Sequence, residues 1–290
     1  MPCVNCQSSI HKPTNLRPFE FNGIVFEYRK CRSCEWCFLD PVPDEKVLGL
    51  LYQRDSYHDK FYFSGFDNPL ATRALDVSAD ILNPGSSILD FGCGDGSFLS
   101  GAKARGFDVC GVEYTKDLAS ELSQLHSCKV WQVEEFLNNR TQENFDAIRI
   151  ADVFEHFTKP VSQFLDVIRF LKRGGYLLFE GPIENNISPV FLSITLAGLM
   201  RKLLKKTLPG MGLPYHIIRL TEIQQLNFFR KNLDDFDVMY WEVYDTGWPY
   251  LKGSPIRRAI GRLAITVSGK RFLGRSLGNR VFAVLKVNKV

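Results

Sequence analysis

The stretch Ile88-Leu89-Asp90-Phe91-Gly92-Cys93-Gly94-Asp95-Gly96-Ser97-Phe98-Leu99 limits what this chain can become more than any other. A short apolar run ends in an acid, glycines follow at three alternate positions, and an apolar segment with helical spacing begins. The pattern reads as a buried strand turning sharply into a helix, with glycines where a ligand must approach the backbone closely. A dinucleotide fingerprint needs G-x-G-x-x-G with an acid about 20 residues on. Here the glycines are Gly92, Gly94 and Gly96, and Ser97 stands where the third fingerprint glycine would be. Asp90 precedes them, and Glu113 follows the next apolar run, residues 107–112.

The order of the neighbouring segments narrows the reading. Pro69 opens a helix over 69–82, closed by Asn83-Pro84-Gly85. After Glu113 come a helix over 115–125, a strand over 129–133, Glu134-Glu135-Phe136, and a strand over 145–150. That strand runs into Asp152-Val153-Phe154-Glu155-His156 and Pro160, then a helix over 161–171, Lys172-Arg173-Gly174-Gly175, and a strand over 176–180. Alternating strands and helices predict a parallel sheet with crossover connections. Together these segments resemble the class I S-adenosylmethionine-dependent methyltransferases, whose first motif is an acid-x-G-x-G-x-G run and whose fourth strand leads into D-x-x-E-H-x-x-x-P.

The resemblance covers residues 69–182. It implies an α/β, Rossmann-like fold with a seven-stranded, mostly parallel sheet, completed by antiparallel strands over 236–244 and 280–287. It also implies that the turn of Asp90, Gly92, Gly94 and Gly96 packs under the methionine moiety of S-adenosylmethionine. Glu113 would take both ribose hydroxyls, Glu134, Glu135 and Phe136 would meet the adenine, and Asp152 would lie on the cofactor side. Asp152, Glu155 and His156 resemble the cluster by which some O-methyltransferases of ubiquinone biosynthesis hold a divalent cation near the acceptor hydroxyl, with Asp here where those carry Glu. Alternatively His156 is a general base without metal, poised by its intrinsic pKa, or the Glu-His pair caps the following turn structurally. Leu213-Pro214-Tyr215-His216 resembles the P-x-H segment of the same subfamily, which makes His216 a second candidate base, ahead of a helix over 222–231 with Thr221 as N-cap.

Before the core, Cys3-x-x-Cys6 and Cys31-x-x-Cys34 flank strand-like residues including Phe21, Ile24, Phe26 and Tyr28. Two such knuckles facing each other across a hairpin supply four thiolates for a tetrahedral, structural zinc. With four ligands in hand, Cys37 reads as a core thiol. A ribbon so small cannot build its own core, so the metal would supply much of its folding free energy. The chain thus divides into a zinc ribbon over 1–45, an aromatic linker over 46–68 that holds Tyr57 and His58 as lid candidates, and a methyltransferase domain over 69–290 with helical insertions at 184–215 and 253–275.

Charge and composition address partners. The net charge of +4 hides 19 Lys and Arg against 26 Asp and Glu up to residue 200, and 17 against 6 beyond it. The basic C-terminal third suits an anionic partner, such as a nucleotide-linked or lipid-linked glycan or a lipid headgroup, or it is simply a solvated face. Leu192, Leu196, Leu199 and Leu203 with Arg201 and Lys202 describe a basic amphipathic helix, and Ile256, Ile260, Leu263 and Val267 a second. The opening residues lack a secretory pattern, and the uncharged run 187–200 is too short to span a bilayer. The expected location is cytoplasmic, with peripheral contact at the inner membrane face. Methyl transfer to oxygen of a sugar, glycan or other small intermediate is the leading function, with oxygen ahead of carbon or nitrogen. RNA methylation guided by the ribbon, disfavoured by the acidic first two thirds, and an inactive cofactor-binding regulator are the alternatives.

Overall fold

The computed structural model describes residues 1–51, 69–138, 144–184, 186–204, 210–211, 216–251 and 253–289. Tyr57 and His58 lie outside the described residues. A seven-stranded sheet is built from β5 (Ser87–Phe91), β6 (Asp108–Glu113), β7 (Val130–Gln132), β8 (Phe145–Ala151), β9 (Leu171–Pro182), β12 (Asp235–Tyr244) and β15 (Arg280–Lys289), in the order β12-β15-β9-β8-β5-β6-β7. The pairs from β9 to β7 are parallel, and β15 is antiparallel to both β9 and β12. The expected mostly parallel sheet with its antiparallel closing pair is therefore present.

Its central strands β5, β6, β8 and β9 are largely apolar on both sides because helices cover both faces. The helices Pro69–Ile81, Ser97–Ala104 and Lys116–His126 bury Ala74, Leu75, Leu99 and Leu122 against one face. Phe164 of the helix Pro160–Ile168 and Phe228 and Phe229 of the helix Glu222–Asn232 join Phe179 on the other. The last helix begins at Thr221, whose hydroxyl accepts from Gln224 N–H while the Gln224 side chain accepts from Thr221 N–H. This reciprocal cap stabilises the helix by about 1 kcal/mol. One boundary differs from the sequence expectation: the helix before Gly174 stops at Ile168, and Leu171 already pairs with Phe145. Gly174, at φ 76, lets the strand start early across an irregular register.

The N-terminal unit is a second sheet of β1 (His11–Pro13), β2 (Phe19–Phe21), β3 (Ile24–Cys31) and β4 (Cys37–Asp40), with Asn22 and Gly23 at positive φ forming the two-residue β2–β3 turn. Two late segments complete it. β10 (Gly210–Met211) pairs with β2, and β11 (Ile218–Arg219) pairs antiparallel with β4. Trp36 packs against Phe154 and Phe228, so the ribbon and the main sheet share one core. A small hairpin of β13 (Arg271–Phe272) and β14 (Arg275–Ser276) precedes β15.

Candidate active site

The carboxyl ends of β5, β6, β8 and β9 lie at one edge of the sheet, the edge where open α/β sheets bind ligands. After β5 the chain turns through Gly92, Gly94 and Gly96, with φ of 77, 58 and 73. A Cβ on Gly92 would collide with Val153, and one on Gly96 with the His126 ring. Those two glycines therefore serve the protein's own packing. Gly94 N–H donates to Glu113 Oε2 at 3.0 Å, and Tyr114 N–H donates to Oε1 at 2.7 Å. Each carboxylate oxygen keeps lone-pair capacity for a further donor, as holding a pair of vicinal hydroxyls requires. Burial pushes Glu113 up to about 7, with the Asp90 charge adding to it and the two backbone N–H groups opposing.

Asp90 lies beneath the turn rather than in it. It is fully buried, accepts from Arg149 Nη1 at 2.7 Å, and Arg149 stacks on the Phe98 ring at 4.7 Å. Burial raises its carboxyl, and Arg149 opposes the rise. Glu134 and Glu135 lie in the first turn of the short helix Val133–Asn138, and their N–H groups donate to Gln132 Oε1 at 2.8 and 3.0 Å. With Lys116, Gln132 and Asn138 they line an open groove of about 510 Å³ beside Glu113 and the end of β7. Phe136 does not line it. One helical step turns that ring inward, 4.4 Å from Phe170 and against Phe91 and Phe145.

Beyond β8, the structure separates residues that the sequence reading grouped. Asp152 does not join a cation cluster with Glu155 and His156: at φ 54 its carboxylate receives Arg280 Nη2 at 2.7 and 2.8 Å, so its charge is already balanced. Glu155 and His156 form the following helical turn, and His216 joins them from a segment 60 residues later. One carboxyl oxygen of Glu155 and one nitrogen of each ring lie within 4.8 Å of one another. The two rings meet edge to face at 5.3 Å. Burial, with Asp152 nearby, pushes Glu155 up to about 8, against the opposing charges of His216 and Arg280. It lines an interior cavity of about 10 Å³ with Phe154, Phe179, Leu220 and Gln225.

His216 is oriented by a residue that the sequence reading missed. Its Nδ1 lies 2.6 Å from Glu184 Oε2, and Arg219 approaches the other Glu184 oxygen at 3.5 Å. Burial would raise Glu184, yet Arg219 and His216 outweigh it and hold the carboxyl at about 2. Burial likewise lowers His216, but the Glu184 carboxylate raises it above its ordinary value. With Nδ1–H donated to Glu184, Nε2 is the acceptor when the ring is neutral. The ribbon holds this segment: Tyr28 donates its hydroxyl to the His216 carbonyl at 2.6 Å, Arg219 stacks 4.3 Å from the Tyr28 ring, and Leu39 N–H donates to Ile217 O at 2.9 Å. Glu184 had a signal, since it lies just past the end of β9, a fourth strand end at this edge. Tyr28 and Arg280 had none, being brought here only by tertiary pairing.

In the ribbon, the Cys3 and Cys34 sulfurs are 3.6 Å apart and those of Cys6 and Cys31 are 3.5 Å apart, and all four lie within 4.8 Å. Four thiolates around a zinc at Zn–S of about 2.3 Å stand about 3.8 Å from one another, so the set fits a closed tetrahedral site. Cys37 is buried away from it with Phe26, Tyr28 and Leu39.

A family model described as a methyltransferase domain matches residues 63–227, more than half of the chain. Ubiquinone biosynthesis O-methyltransferase of Alkalilimnicola ehrlichii is 31% identical over 150 residues, covering 48% of this chain and 59% of that protein. The enzyme of the same name from Aliivibrio fischeri is 25% identical over 146 residues, covering 48% and 61%. The match thus spans about three fifths of those relatives' length. Among solved structures, the N-methyltransferase NodS from Bradyrhizobium japonicum with S-adenosyl-l-homocysteine aligns at a TM-score of 0.48 and 13% identity, over 84% of this chain and 97% of that one. With the matching domain model, the acid-and-glycine turn, Glu113 on the neighbouring strand and the sheet order, the chain belongs to the class I S-adenosylmethionine-dependent methyltransferases.

Proposed function

We propose that this protein transfers the methyl group of S-adenosylmethionine to a hydroxyl oxygen of a small biosynthetic intermediate, with a sugar or glycan hydroxyl as the first acceptor class to test. The observation that carries it is His216, oriented through Nδ1 by Glu184, beside the strand ends that present Glu113. S-adenosylmethionine supplies an electrophilic methyl on a positively charged sulfur. Glu113 accepts the ribose hydroxyls, and the groove with Glu134 and Glu135 takes the adenine side. His216 Nε2 takes the acceptor proton as the new oxygen–carbon bond forms and the carbon–sulfur bond breaks. Glu184 stabilises the imidazolium that results, and His156 packs the ring in place. Much of the rate comes from positioning, because the donor is already activated. The oxygen assignment draws on the relatives named as O-methyltransferases. The four ribbon cysteines hold a structural zinc.

A second reading, a divalent cation, draws on the close approach of Glu155, His156 and His216 rather than of Asp152. The test is calorimetry with S-adenosylmethionine, followed by a methyl-transfer screen over sugar nucleotides, lipid-linked glycans and phenols, with and without chelator. Binding without turnover on any hydroxyl acceptor, or turnover that survives His216→Ala, would overturn the proposed chemistry. Turnover abolished by chelator at intact zinc would favour the cation.

A further inference from the structure

We propose that the helices Pro189–Leu203 and Pro255–Val267 form a docking surface for an anionic lipid bilayer. Leu192, Leu196, Leu199 and Leu203 recur every three or four residues and so share one helical face. In a helix that packs on a core such a stripe is the buried one. Here the four leucines are between 44% and 75% exposed, while Val190 and Gly198 turn inward, Gly198 against the Asn15 backbone. The second helix repeats the inversion: Gly261 and Ala264 are buried, whereas Ile256 and Leu263 are 73% and 53% exposed. The two helices pack on each other, and Ser193 Oγ donates to Tyr250 Oη at 3.0 Å in the loop ahead of the second.

Charge identifies the occupant. Residues 246–275 contain seven Lys and Arg and no Asp or Glu, of which Arg271 is paired with Glu222, and residues 187–206 contain four and none. Arg258, Arg262 and Arg275 are exposed. Exposed apolar stripes flanked by cations, with no acid among them, are what an interfacial helix presents to an anionic leaflet. A second copy of this chain would bring cation against cation, which opposes association. A nucleic acid would leave the leucines and isoleucines unused. No helix among the described residues is long and apolar enough to cross a membrane, so the contact is with its surface. The inference stands whether or not the proposed acceptor is right.

The test is sedimentation of the full chain with phosphatidylglycerol-containing vesicles and with pure phosphatidylcholine vesicles. Binding is expected to the anionic vesicles only and to fall as salt is raised. Arg258→Gln with Arg262→Gln removes two charges at the surface, each worth about 1 kcal/mol, so partitioning should weaken about thirtyfold. Ile256→Asp with Leu263→Asp, at exposed positions that leave the fold intact by circular dichroism, should weaken it at least as far. Absence of binding to anionic vesicles, equal binding to neutral ones, unchanged binding in both variants, or a stable dimer or RNA complex without vesicle binding would each overturn the proposal.

Discussion

Glu184→Gln probes the candidate site without any knowledge of the acceptor. Glu184 faces His216 at 2.6 Å and Arg219 at 3.5 Å, and these partners hold its carboxyl at about 2 against an ordinary 4.5 despite burial, which alone would raise it. At about 1.4 kcal/mol per pH unit, that difference corresponds to about 3 kcal/mol. The figure is an upper one, because the side chain is 19% exposed. A carboxyl whose native pKa is lowered binds fewer protons folded than unfolded. Its stabilisation is therefore complete above 4.5 and is lost as pH falls from there toward 2. His216, raised above 6.5, acts in the opposite sense: its share is present below 6.5 and is lost as pH rises through its native value. Urea unfolding of wild type and Glu184→Gln at several pH values should give a gap of at most about 3 kcal/mol that is widest between about pH 5 and 6.5, vanishes toward pH 2 and narrows at alkaline pH. A gap that does not change with pH, or one below about 0.5 kcal/mol at pH 6, would refute the reasoning.

Other expectations concern the cofactor turn and the ribbon. Glu113→Ala removes the acceptor of two charge-assisted hydrogen bonds and should weaken S-adenosylmethionine binding at least a hundredfold in calorimetry. Because burial holds Glu113 at about 7 and hydroxyls bond its ionised form, wild-type affinity should rise with pH up to about 7 and then level; a flat profile would remove Glu113 from the ribose contact. Cys31→Ser should abolish binding of about one zinc per chain and also shift the His216 ring resonances in NMR, whereas zinc loss with unmoved resonances would show the ribbon to be inert toward the site. Gly92→Ala sets a Cβ into Val153 at a positive φ and should cost about 1–3 kcal/mol in thermal unfolding.

The parts of this molecule that can be read from its sequence are those whose physics is local. Asp90, the three turn glycines and Glu113 occur within 24 residues, and the alternation of apolar strands with helices spells out the parallel sheet. Thr221 marks its own helix start as an N-cap. The unreadable parts depend on pairings across long separations. Nothing near Asp152 in sequence reveals that Arg280 will neutralise it, and nothing near Leu192 or Leu196 reveals that their face stays in solvent. Phe136 shows the finer limit, since the sequence assigns it to the adenine together with Glu134 and Glu135 and shows neither the short helix there nor the cluster of buried rings that draws Phe136 inward.

The ribbon's place in the fold follows from three hydrogen bonds, two between backbone groups and one from a tyrosine hydroxyl to a backbone carbonyl. Leu39 N–H reaches Ile217 O, Ile217 N–H reaches Glu155 O at 2.8 Å, and Tyr28 reaches the carbonyl of His216. The residues carrying the candidate base thus form a bridge with one side on β4 and the other on the turn after β8. A histidine on an unsupported loop would sample many positions, and misplacement of about 1 Å is enough to cost a reaction a hundredfold. A metal held at Cys3, Cys6, Cys31 and Cys34 would therefore deliver its folding free energy to the site through β3 and β4 as positional precision. The same packing bears on nucleic-acid recognition by the ribbon. Trp36 and Phe38, the rings beside the cysteine cluster, are buried against the main core, so their faces are spent on packing and are not offered to bases. An N-terminal unit that gives its aromatic surface to the core and two of its strands to the candidate base is built as a buttress for the active site.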